Sequence, residues 1–191
     1  GSVSFVVDSG TCSVAASTLT LGNAGSSCLV TATKAATTNY NAVSSTSTSI
    51  ATAKASQSAL VAPVGSTLTY SDGAGLDLTT LTFAGGSGSG SLSFSTATSG
   101  CSISNSVLTS TNNAATTCVV ATVKSTDTNY LVGASTNLIV TIVKANQAAL
   151  SITSVSGTYG QTLALTTSGG TDSGSVSFVV DSGTCSVAAS T

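Results

Sequence analysis

The sequence predicts an all-β protein made of tandem two-sheet, Greek-key sandwich modules with no significant helix. Two levels of repetition and one periodicity lead there. Residues Gly1–Thr18 recur unchanged as Gly174–Thr191, a period of 173 residues. Inside that period Cys28–Leu60 aligns without a gap onto Cys118–Leu150 at an offset of 90. Short apolar or alternating runs separated by Gly, Ser and Asn clusters read as strands, whereas no window carries an apolar period of 3.6.

The expected strands lie at Ser2–Val7, Leu29–Thr33, Thr67–Tyr70, Leu76–Phe83, Ser91–Phe94, Cys118–Val123 and Asn137–Val143. Their Val, Ile, Thr and Phe fit a pleated, half-buried surface. The two offsets divide the chain into residues 1–56, the C-terminal part of one module, 57–146, a complete module, and 147–191, the N-terminal part of the next. A module of about 90 residues with seven or eight short strands suits a two-sheet sandwich. The repeated segments starting at Lys54 and Lys144, with Gln57 and Gln147 three residues on, mark the module junctions. Neither contains Gly or Pro, so the last strand of one module is expected to run almost directly into the first strand of the next, with little slack.

Composition removes whole classes of function. The chain has no His, Arg, Glu, Met or Trp, and its charges are four Lys and six Asp. Side chains whose pKa can be brought near working pH are almost missing, so no enzymatic activity, catalytic residue or cofactor is expected. A net charge of -2 offers no basic stripe for phosphates, which argues against nucleic acid. The longest apolar run, Leu138–Val143, is interrupted by Thr141 and falls far short of the roughly 20 residues of a spanning helix. No direct membrane insertion and no signal peptide are expected. Abundant β-branched residues and a single proline, Pro63, set the chain apart from disordered or mucin-like sequence.

The five cysteines follow the repeat. Cys12 and Cys28 are 16 residues apart and Cys101 and Cys118 are 17 apart at equivalent positions, while Cys185 repeats Cys12 and has its partner outside this stretch. Intramodule disulfides Cys12–Cys28 and Cys101–Cys118 are expected, each closing a loop worth about 3 kcal/mol. The alternative is buried free thiols acting as small hydrophobes. A metal site is not expected, because neither a CxxC pair nor a His accompanies them. Modules with thin, aromatic-poor cores need such staples, and disulfides place the chain outside the cytoplasm.

Tyr40 and Tyr130 follow Asn in equivalent loops and are expected to act as structural corners, burying the ring while the hydroxyl bonds to backbone. Lys34 and Lys124 read as strand-end lysines with their heads in water, against the alternative of a Lys–Asn isopeptide crosslink. Asp72, Asp77 and Asp172 lie in Gly-rich turns, where sparse carboxylates form turns sooner than calcium sites. Gly85–Gly90 is read as a hairpin tip, lacking the Lys and following helix of a phosphate loop.

The C-x-V-x-x-x-K-x(4)-N-Y stretch, the K-A-x-Q-x-A-L junction and the G-S-x-S-F strand together resemble the tandem immunoglobulin-like modules of giant bacterial surface proteins and adhesins. The resemblance covers the whole chain and implies an extracellular, cell-surface, structural role without catalytic residues. The expected function is a stiff stalk, fibre or surface filament whose partners are neighbouring identical repeats. Its neutral Ser/Thr surface favours lateral self-association. Two alternatives stand beside it. One is an adhesin module that binds a glycan or host protein, although Trp, Tyr and Arg of the kind that dominate binding hot spots are few. The other is a pilin-like subunit that polymerises by strand complementation, Ala149–Thr191 of one chain completing Leu19–Ala55 of the next.

Overall fold

The computed structural model describes residues 1–71 and 73–188. Asp72 and the last three residues of the repeated eighteen lie outside them. The chain forms two units, Gly1–Lys144 and Ala145–Thr191. Among the described residues it is all-β, with several sheets and one 3-10 turn.

In the first unit, residues 1–56 carry strands β1 (Val3–Gly10), β2 (Ser13–Ala15), β3 (Thr18–Thr20), β4 (Ser27–Lys34), β5 (Val43–Ser44) and β6 (Thr48–Ala51). β4 is the hub, pairing antiparallel with β1, β5 and β6, while β2 pairs with β3. The β1–β4 ladder runs from Val3↔Lys34 to Gly10↔Cys28, with a bulge between Val7 and Ser9.

Residues 57–144 carry β7 (Leu60–Val61), β8 (Ser66–Thr69), β9 (Leu76–Asp77), β10 (Ala84–Gly85), β11 (Leu92–Thr96), β12 (Cys101–Ser104), β13 (Val107–Ser110), β14 (Thr117–Lys124), β15 (Gly133–Ala134) and β16 (Leu138–Val143). A five-stranded sheet has the order β11-β14-β16-β8 with β15 also on β14, and a three-stranded sheet has the order β12-β13-β9. All pairs are antiparallel except β16 with β8.

The two sheets share one core. In β16 the alternation is strict: Leu138, Val140 and Ile142 point inward, and Ile139, Thr141 and Val143 outward. In β14 Cys118, Val120 and Thr122 do the same. With Ala62, Leu68, Leu78 and Leu108 they form the buried cluster, against which Phe83, Phe94 and Ile103 pack. Full burial of each Leu or Val side chain contributes about 1.5–3 kcal/mol, so this small-residue core carries the module despite its few aromatic rings.

Two sequence expectations change here. The run Leu76–Phe83 is not one strand. Asp77 accepts a hydrogen bond from the Thr79 N–H (2.9 Å) and caps a 3-10 turn over Leu78–Thr80, which drives Leu78 into the core. The Gly85–Gly90 run is a crossover rather than a hairpin tip, because β10 pairs with β7 and β11 pairs with β14.

Among its described residues the second unit holds one ladder, β17 (Leu150–Ile152) against β18 (Thr167–Gly169). Residues 174–188 are not in strands.

Candidate functional site

Two sets of contacts tie the first unit together, the disulfide staples and the bonds that join residues 1–56 to residues 57–144. The staples are direct: Cys12 is bonded to Cys28 (Cα–Cα 6.1 Å) and Cys101 to Cys118 (6.0 Å). Cys101 lies on β12 and Cys118 on β14, so this bond ties the three-stranded sheet to the five-stranded one. Two disulfides fit an oxidising, non-cytoplasmic environment. Cys185 is an exposed free thiol.

The junction between residues 1–56 and 57–144 is built from backbone and short polar side chains. β6 ends at Ala51 and β7 starts at Leu60, so the strands are not continuous as the sequence suggests. Residues 52–59 are instead pinned to the loop after β14. Ala55 makes a parallel bridge to Tyr130: its N–H donates to the Asn129 carbonyl (2.9 Å), and the Leu131 N–H donates to the Ala55 carbonyl (2.8 Å). Lys54 Nζ donates to the Asp127 carbonyl and to Thr126 Oγ1 (2.9 Å). Gln57 Nε2 donates to the carbonyls of Ser125 (3.1 Å) and Leu131 (2.8 Å). On the other side, Asn129 Oδ1 accepts the Ala24 N–H (2.9 Å) and its Nδ2 donates to Asn23 Oδ1 (3.1 Å).

Asp127 holds this loop in shape. Its Oδ1 accepts the N–H groups of Asn129 (2.9 Å) and Tyr130 (2.8 Å), and its Oδ2 accepts the Ser89 N–H. Desolvation pushes the carboxyl up, but the N–H groups of Asn129, Ser89 and Tyr130 and the Ser89 hydroxyl outweigh it, leaving the pKa below the ordinary carboxylate value. Gly88 makes room for that carboxylate, since a Cβ there would stand 2.2 Å from Asp127 Oδ2.

The other singled-out residues fall as follows. Tyr40 is no corner: it is 78% exposed, because the loop that flanks Tyr130, residues 86–89, has no counterpart within residues 1–56. Tyr130 is half-buried; its own N–H and carbonyl bond to Asp127, and the bonds to Ala55 come from its neighbours, the Asn129 carbonyl and the Leu131 N–H. Lys124 lays its stem over Gly86 and donates to the Gly86 carbonyl (3.4 Å), so its head is not simply in water. Asp172 accepts its neighbour's Ser173 N–H (2.7 Å), a turn-forming contact. Lys144 and Gln147 lie on either side of the division between the two units. Sequence reasoning found Lys54, Gln57 and the recurring Asn129-Tyr130 pair but passed over Asn23 and Asp127; the recurrence of Asn23-Ala24 as Asn113-Ala114 was the available signal.

The chain matches no family model, no curated protein and no solved structure.

Proposed function

We propose that this chain is a stretch of a long extracellular tandem-repeat protein whose immunoglobulin-like sandwich modules are coupled into a stiff stalk, fibre or surface filament. The observation that carries the reading is the recurrence of the junction parts. Each residue pair that closes the junction at Lys54 has its repeat 90 positions on or before: Lys54-Ala55 as Lys144-Ala145, Asn23-Ala24 as Asn113-Ala114, and Asn129-Tyr130 as Asn39-Tyr40. A joint whose Lys54, Asn23 and Asn129 all recur suits an array in which modules dock on one another in the same way. Short polar bonds to backbone remove the slack that a Gly/Ser linker would leave. An immunoglobulin-like module is supported by its length, by two sheets around one core and by a disulfide between them. The role is mechanical, and no catalytic chemistry is proposed for it.

Native-state hydrogen exchange tests the joint. The N–H groups of Ala24, Ala55 and Leu131 are expected to be protected nearly as well as those of β14, and Asn129→Ala is expected to release Ala24. If all three exchange as freely as loop amides, the joint is slack and the stiff-stalk reading falls.

A further inference from the structure

We infer that the open apolar face of residues 1–56 is the seat for residues Gln147–Ser173 of a neighbouring copy of this chain. The inference rests on the tandem-repeat reading and names the partner that completes its split module.

Residues 1–56 repeat the strand pairing and register of the back half of the complete module, apart from the Val7/Ser9 bulge and the pairs beyond it in β1–β4. Val3↔Lys34 matches Leu92↔Lys124, Val14↔Leu19 matches Ile103↔Leu108, and Cys28↔Ile50 matches Cys118↔Val140. Even the bond that opens the half, Ala35 N–H to the Ser2 carbonyl (2.9 Å), has its double in Ser125 to Ser91 (2.9 Å). Residues 57–89 of the complete module have no equivalent in this half. There β8 runs along the free edge of β16, β9 pairs with β13, and Ala62, Leu68 and Leu78 close the core. Without them β6 and β3 keep open edges, and Phe5, Val14, Leu19, Val30, Ala32 and Ile50 line an open groove. An open edge beside an apolar groove is a template for an added strand.

Gln147–Ser173 carries the matching parts. Its one ladder has the register of β7–β10, with Leu150↔Gly169 for Leu60↔Gly85 and Ser151↔Ser168 for Val61↔Ala84. The Ala148 N–H donates to Thr171 Oγ1 (2.7 Å) as the Ser58 N–H does to Ser87 Oγ (2.9 Å). Leu60 is 4% exposed in the complete module, yet its counterpart Leu150 is 52% exposed, with Ile152 at 57%. One exchange of residues also points to the same pairing. In the complete module the loop carboxylate is Asp127 and faces Gly88. At the equivalent positions the half-module has Thr37 and Gln147–Ser173 has Asp172. The carboxylate has moved to the other side of the same contact, where Asp172 accepts the N–H groups of Asn39 and Tyr40 once the segment is seated. The Cys12–Cys28 bond keeps Gly1–Thr18 in place, so only residues up to Ser173 of the neighbour enter this module.

A crosslinking trap in trans tests the pairing, with Cys185→Ser in every chain to remove the exposed thiol. Chains bearing Thr37→Cys are mixed with chains bearing Asp172→Cys under mild oxidation and run on non-reducing gels. A covalent dimer at twice 18.3 kDa is expected. It is expected to vanish when Leu150→Asp and Ile152→Asp are added to the Asp172→Cys chain, and not to form when Val64→Cys, a 95% exposed position of the complete module, replaces Thr37→Cys. No dimer with Thr37→Cys, an equal dimer with Val64→Cys, or a dimer that survives the two Asp substitutions overturns the inference. Amide protection at Ala55 and Leu131 is read in the same samples. Trap failure with protection intact removes this inference alone, whereas lost protection removes the tandem reading beneath it.

Discussion

Gly1–Ala15 and Gly174–Ala188 have the same sequence and different structures. In the first copy Val3–Gly10 is β1, laddered to β4, Ser13–Ala15 is β2, laddered to β3, and Cys12 is bonded to Cys28. In the second copy residues 174–188 are not in strands, Val179 is 81% exposed and Cys185 is a free, exposed thiol. Intrinsic preference is the same in both copies, and what the first copy has is a ladder to β3 and β4. A strand in this protein is a property of a pair, and β-propensity only permits it.

The comparison extends from pairing to burial. Leu108 is fully buried, and its counterpart Leu19 is only half-buried because its face lacks the Leu68–Leu78 cover. Leu108→Ala is expected to cost about 2–5 kcal/mol in the unfolding of residues 57–144, whereas Leu19→Ala costs about 1 kcal/mol. Denaturant unfolding of dilute chains followed by segment-resolved hydrogen exchange measures both, and equal costs would show that the 1–56 face is covered within the single chain.

Breaking the staple makes the first copy resemble the second. Cys12→Ser is expected to lower the stability of residues 1–56 by about 3 kcal/mol, the value for a loop of this size, and to bring β1 exchange rates toward those of Val176–Gly183. Unchanged β1 protection would mean that the β4 ladder alone holds it.

A smaller effect of opposite sign sits in the complete core. Thr122 is buried with no hydrogen-bond partner for its hydroxyl, and Ala32 takes the equivalent place in the half-module. Thr122→Val is expected to stabilise residues 57–144 by about 1 kcal/mol. A loss on thermal melting would show that the hydroxyl has a partner.

Acid supplies the gentlest test. The hydroxyls of Ser47 and Thr31 hold Asp8 below the ordinary carboxylate pKa, and those bonds exist only where β1 is paired. A lowered folded-state pKa means that the stabilisation is complete above the unfolded value of about 3.9 and is lost as pH falls through the folded one. Stability is therefore expected to be flat from neutral pH down to about 5 and to decline below about 4, less so in Asp8→Asn. Carboxyl chemical shifts would sink this if Asp8 titrated at or above the ordinary value.

The alternation of Leu138–Val143 and Cys118–Val123 and the parity of the repeated cysteines were legible because each depends on neighbours close in the chain or on the repeat itself. The 3-10 turn after Asp77 was hidden by an apolar run that reads equally well as a strand. The junction was hidden for a different reason, since Ala24 and Asn129 meet across a separation of 105 residues and Asn is common in any loop.

What the sequence determined by itself is the all-β character, the repeat and the cysteine spacing, because periodicity, copy number and composition are local quantities. Tertiary structure alone decided that Val3–Gly10 ladders with β4, which tyrosine is covered and that an Asp127-held loop grips Ala55. Each of these depends on a backbone partner, and a hydrogen-bond ladder exists only where two distant segments supply its two sides.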